Sequence, residues 1–284
     1  MKSLLPAGAP FGAVCLGPSP LLGEFIAADQ ELPIQREAWG LSILDDFMAD
    51  SHTLTDKFIS EARRGSLQYM TLASFKDYPG ATEIIVNKGI LFLHIDETVD
   101  KFLLSKITST AQKAGTWTVG ITPAGCFTQD ISYLSGGLDN IISFNHTNIE
   151  KSNIWKASKI IATLWHGCKG GGLICIDASC VEAFLRLGTI GHAGVAVDHG
   201  KNCVQNALRN AMYDFEVVSK TAFSNMKGVF VSIEIGLAVL IDHVYDAIRA
   251  FFAERCGNAV ECFNDADINS TLNDSAIATI IGII

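Results

Sequence analysis

Residues 91–102 read LFLHIDETVDKF, and the reading of this stretch decides the fold. Ile90-Leu91-Phe92-Leu93 is an apolar run with the length of a buried strand, and a helical period begins after Asp100. Between strand and helix, α/β proteins commonly place a glycine-rich turn whose backbone N–H groups wrap a phosphate. The turn here, His94 to Asp100, carries three acids and no glycine. A place suited to anions is filled with negative charge.

Downstream, Val99, Leu103, Ile107, Thr110, Ala111 and Ala114 share one face at a period of 3.6, and Gly115 predicts the helix end. WTVGIT follows as a strand, so the unit is β-α-β and implies a parallel sheet with helices on its faces. GAVCL before it and NIISF after it read as further short strands. The stretch 27–80 is weakly patterned and strewn with acids (Asp45, Asp46, Asp50, Asp56); helices are expected there. From 151 to 168 a long stripe of Ile154, Ala157, Ile161, Leu164, Trp165 and Cys168 predicts one connecting helix, stopped by KGGG.

The second half reads as a smaller α/β subdomain. A helix carries Val204, Ala207, Leu208 and Ala211, and GVFVSIEI is a strand of alternating residues. A helix with Leu240, Val244, Ile248 and Phe251 comes next, then the strands AVECF and AIATIIGI. Gly191, Gly194 and Gly200 are expected in turns.

Composition narrows the function classes. The 284 residues are 49% hydrophobic and 18% charged, enough for a large core. Mean hydropathy is +0.29. No stretch reaches the roughly 18 apolar residues of a spanning helix, and Glu234 interrupts the longest candidate. Insertion into a membrane is not expected. Prolines break the N-terminal segment where an export signal needs an apolar run, so a cytoplasmic location is expected. A net charge of −9 argues against nucleic acid as the partner. Eight cysteines contain no Cys-x-x-Cys pair and predict reduced, packed thiols.

Several blocks, in order, resemble one family. LICIDASCVEAF, GHAGVAVDHGKNCVQNALRNAM, MKGVFVSIEIG and NDSAIATIIGI resemble the C-terminal half of the bacterial tubulin homologue FtsZ. ILFLHIDETVDKFLLSKITSTAQKAGTWTVGITP resembles that family's strand, signature loop, helix and next strand. The resemblance implies a tubulin/FtsZ-like α/β fold: a GTP-binding-type domain over 1–150, a central helix over 151–170 and a C-terminal domain over 171–284. It also implies GTP with magnesium on the first domain, hydrolysed when the next protomer inserts its synergy loop.

The functional parts depart from that pattern. The loop G-G-G-T-G-T-G of active members corresponds to Asp96, Glu97, Thr98 and Asp100, and one carboxylate about 6 Å from a phosphate opposes it by roughly 3 kcal/mol at an effective dielectric near 20. The first glycine-rich turn is reduced to LGPSPLLG, leaving Gly17 and Ser19 as possible anion contacts. The synergy motif N-x-D-x-x-D falls on Cys175, Asp177 and Cys180, one carboxylate of two, with no intact catalytic set. The base-contacting positions fall near Lys151 to Asn153.

The acids after β-strand 90–93 are thus expected to cap the helix in place of the phosphates, rather than to catalyse. A divalent-metal site of His94, Asp96, Glu97 and Asp100 is the lesser reading of the same residues, and no metal is expected. The implied function is a filament-type protein without GTPase activity. It would associate with itself or with an active FtsZ through Asp177, Cys180 and Arg186; the alternative is a divergent GTPase that still binds GTP.

Overall fold

Ala13-Val14-Cys15-Leu16 is wholly buried, as are Ile90 to Leu93, and these apolar runs lie side by side as parallel strands. The computed structural model describes residues 12–17, 41–43, 66–71, 85, 89–97, 99–125, 137–147, 150–169, 172–174 and 176–284. Ser19, Thr98, Cys175 and the side chain of Lys151 lie outside them. The chain divides into two compact units, Met1–Thr122 with Cys126–Asp139, and Pro123–Gly125 with Asn140–Ile284.

In the first unit the strands are β1 (Gly12–Gly17), β2 (Leu41–Ile43), β3 (Ser66–Thr71), β4 (Ile90–His94) and β5 (Trp117–Pro123). Their order is β2-β3-β1-β4-β5 and every pairing is parallel. The expected β-α-β unit is present, with helix α1 (Lys101–Ala114) between β4 and β5. Gly115 ends α1 at φ 75°, the left-handed conformation that glycine adopts without steric cost. The buried face of α1 is Leu104, Ile107, Thr108 and Ala111. It is rotated from the expected stripe: Leu104 and Thr108 are buried where Leu103 and Thr110 were expected, and Val99 stays in the preceding turn. Within 27–80, where helices were expected, the described residues are the strands β2 and β3. SLQYMT pairs along β1, and its tertiary register outweighs its weak local pattern.

The second unit contains β6 (Asn140–Phe144), α2 (Glu150–Lys169), α3 (Ala178–Arg186), β7 (Ile190–His199), α4 (Cys203–Ser219), β8 (Gly228–Ile235), α5 (Ile241–Arg255), β9 (Glu261–Ile268) and β10 (Ser275–Ile283). Strand order is β6-β7-β10-β8-β9, with β10 antiparallel to both neighbours and the outer pairs parallel. The predicted stripe of α2 is buried in full, from Ile154 to Cys168.

Gly191 and Gly194 are strand residues of β7, not turn residues as expected. A Cβ on Gly194 would stand 2.0 Å from the Ala211 carbonyl oxygen and 2.5 Å from the Phe215 backbone nitrogen, so the glycine lets α4 lie directly on the strand. Gly200 does turn the chain, at φ 82°.

All eight residues of β8 are buried, although the strand was expected to alternate. Both of its faces are covered. Val229, Val231, Ile233 and Ile235 join the core cluster with α4 and α5, where Phe215 stacks on Phe223 at 4.6 Å. Phe230 meets Phe184 of α3 edge-on at 5.5 Å, and Glu234 on the same face receives Lys159 of α2 at 2.9 and 3.0 Å.

Candidate functional site

In an open parallel sheet, ligands bind at the carboxyl ends of the strands. Gly17 ends β1 and His94 ends β4, and the register pairs Leu16 with Leu93, so the two strands stop level with one another. The chain then turns through Ile95, whose N–H donates to the Ile121 carbonyl of β5 at 2.9 Å. A further turn, closed by Val99 N–H to the Asp96 carbonyl at 3.3 Å, leads into α1. The expected acids therefore stand at the expected place.

Their roles differ from one another. Asp100 is the N-cap of α1: one carboxylate oxygen accepts from the N–H of Phe102 at 2.8 Å and of Leu103 at 3.3 Å. Those are the donors that a helix start would offer to a phosphate. Asp96 and Glu97 stand before this cap, in the turn between β4 and α1. Glu97 is exposed, and the Asp96 carboxylate lies 3.9 Å from Nδ1 of His94.

His94 itself is 2% exposed, and neither ring nitrogen has a hydrogen-bond partner. Burial lowers its pKa, with Asp96 opposing, so the ring is neutral at pH 7. The sequence signal for this was its position inside the apolar run LFLHI. Among the described residues no three His, Cys, Asp or Glu side chains converge as metal ligands.

The second unit carries the other sequence-predicted residues. Asp177 caps α3, accepting from the Cys180 N–H at 3.0 Å and from the Ser179 hydroxyl. Those hydrogen bonds, Ser179 first, hold its carboxyl below the usual range. Cys180 sits half-buried in the first turn of α3. Arg186 closes the same helix and reaches Glu182 with Nε at 3.0 Å and a terminal nitrogen at 2.6 Å. Asp177, Cys180 and Arg186 thus share one short helix.

The segment before that helix is tied to β9. Leu173 N–H donates to the Ala266 carbonyl at 2.7 Å, and Ala266 N–H donates back to Ile174 at 3.1 Å. Asn153, the fourth residue of α2, accepts from both the N–H and the hydroxyl of Thr147 and donates to the Thr147 carbonyl at 2.8 Å. Its amide holds the entry to the helix.

No protein-family model and no curated protein matches the sequence. Solved structures do match. A tryptophan-to-tyrosine mutant of FtsZ from M. jannaschii superposes with a TM-score of 0.65 at 10% identity, over 99% of this chain and 92% of that one. An empty FtsZ dimer of M. jannaschii gives 0.64 at 11% identity over 97% and 89%. CetZ from Methanosaeta thermophila gives 0.51 at 10% identity over 96% and 86%. The fold is that of the FtsZ/tubulin group, in a divergent sequence. The resemblance read from about residue 84 to the end extends, at the level of fold, over 99% of the chain.

Proposed function

We propose that this chain is an FtsZ/tubulin-like cytoskeletal protein of the cytoplasm, associated with cell division, that has lost GTPase activity. It acts by assembling with itself or with an active FtsZ. The observation that carries the reading is the Asp100 cap: two backbone donors at the start of α1, the N–H groups of Phe102 and Leu103, are already taken by the protein's own carboxylate. Asp96 and Glu97 add charge of the wrong sign beside it, so the residues present do not fit a magnesium triphosphate. The single carboxylate retained from the synergy motif, Asp177, is likewise engaged as a helix cap. Support for self-association is the likeness to an FtsZ solved as a dimer.

GTP binding decides between this reading and a divergent GTPase. Titration of the purified chain with GTP, with and without magnesium, is expected to show binding weaker than about millimolar, a free energy smaller than ~4 kcal/mol. Saturable binding in the micromolar range would overturn the reading.

A further inference from the structure

Glu234 and Lys159 belong to a larger polar group on the face of the sheet that α2 covers. Alternate residues of a strand point to one side, and the register sets Ser232 beside Asp265 and Glu234 beside Asp267. Glu234, Asp265 and Asp267 therefore share that face, and Asp265 is only 4% exposed. From α2 come Lys159, bonded to both oxygens of Glu234, and His166, whose Nδ1 lies 4.0 Å from the Asp267 carboxylate. Asn269, just past β9, donates to Glu234 at 2.9 Å. Helix α3 meets β9 through Phe184 on Phe263, and its charges Glu182 and Arg186 bond to one another. Helices α4 and α5 pack on the opposite face, with Ala266. Three carboxylates thus meet one lysine and one histidine.

Main chain without a titratable side chain runs against the deepest of these acids. Residues 172–174, on the way from α2 to α3, lie along β9, where Ile174 and Ala266 form an isolated antiparallel bridge. Gly172 is so near that a Cβ on it would stand 2.5 Å from the Ala266 carbonyl oxygen and 3.2 Å from Oδ1 of Asp265.

We propose that this group is a proton-operated latch: residues 172–174 stay paired with β9 while Asp265 holds a proton and come away from it when Asp265 ionises. Ionised, Asp265 is a further buried carboxylate beside a lysine that Glu234 already engages through both oxygens. A buried charge without a partner is strongly disfavoured, and water relieves it. The route for water that disrupts least is the isolated bridge, because the other neighbours of Asp265 are a full strand and two helices. Burial first, then Asp267 and Glu234, raise Asp265 from 3.8 to about 7 in the closed form. The pairing is therefore fully favoured below 3.8, weakens as pH rises to about 7, and changes no further above that.

Hydrogen–deuterium exchange of the full-length chain, followed by NMR and corrected for the intrinsic pH dependence of amide exchange, reads the latch at the Leu173 and Ala266 amides. Their protection is expected to be at least about tenfold lower at about pH 7.5 than at about pH 5, tenfold being the change for one pH unit of linked ionisation. The amides of the β7–β10 ladder are expected to stay protected at both. In Asp265→Asn the difference between the two pH values should vanish, with protection kept high. Asp267→Asn, at a half-exposed position, removes a charge beside Asp265 and should move the loss of protection to lower pH. The proposal is overturned if wild-type protection at Leu173 is equal at the two pH values, or falls in step with β7 and β10. It is equally overturned if the fall persists in Asp265→Asn, which would assign it to His166, or keeps its pH in Asp267→Asn.

Discussion

At the scale of the residue, the acids of HIDETVD have different tasks, and position within the turn assigns them. Asp100 is the residue whose backbone is extended (φ −64°, ψ 119°) while its carbonyl already accepts from Leu104, the defining geometry of a cap. Four positions earlier, Asp96 instead faces the buried ring of His94. Replacing Asp100 by Ala should destabilise the protein by about 0.5 to 2 kcal/mol, the usual cost of losing such a cap. Denaturant unfolding measures it. An increase in stability would mean that repulsion among the acids outweighs the cap.

At the scale of the element, burial explains the shifted acids within β8 and β9. Glu234 sits in a strand with no exposed face, and burial alone would raise its pKa. Lys159 and Asn269, in hydrogen-bond contact with it, hold it lower instead. Among the described residues Asp265 in β9 has no such cation. Burial first, then Asp267 and Glu234, lift it to about 7, against a partial offset from the Ala266 N–H.

The sign of the linkage follows from those shifts. An acid whose folded pKa is raised contributes stability that is complete below its unfolded value of 3.8 and is lost as pH rises through about 7. Each pH unit between the two values is worth about 1.4 kcal/mol. Asp265→Asn, which cannot ionise, should therefore melt higher than the wild type at pH 8 and near it at pH 4. Thermal melts of both proteins across that range check the prediction; a constant difference would show that Asp265 ionises freely in the fold. Glu234 acts oppositely, its contribution being present above the ordinary Glu range and lost as pH falls below it.

At the scale of the whole molecule, the prediction concerns association. Stacking of subunits head to tail is a heterologous contact with two different faces, so one face can be kept while the other is lost. The helix from Asp177 to Arg186 would dock on the nucleotide face of an active FtsZ, shielding its GTP without completing the catalytic carboxylates. Equimolar addition of this chain should then lower GTP turnover per active FtsZ subunit, and Cys180→Asp should weaken that inhibition while Cys180→Ser, which keeps a hydrogen-bond donor beside Asp177, should not. Co-sedimentation provides the independent measure. If the two proteins do not co-sediment and turnover is unchanged, the capping role is wrong, and assembly of the chain with itself is the remaining route.

What the sequence determined by itself was whatever depends on local order along the chain. The β-α-β unit around LFLHIDETVDKF, the buried stripe of α2 and the C-terminal blocks follow from period, run length and glycine position, and these are properties of neighbouring residues. Asp100 was legible at a helix start for the same reason; the capping role of Asp177 was not. Only the tertiary structure decided the rest. The glycines of β7 read as turns because the reason for Gly194 is a helix that approaches within 2.0 Å of its missing side chain. The alternation of β8 suggested one wet face, but α2 and α3 cover it and give Glu234 its lysine from 75 residues away. SLQYMT has little strand signal of its own and becomes β3 by pairing with β1. In each of these cases the deciding contact joins residues whose relation is one of packing, and packing is fixed when the chain closes on itself rather than by the order of its letters.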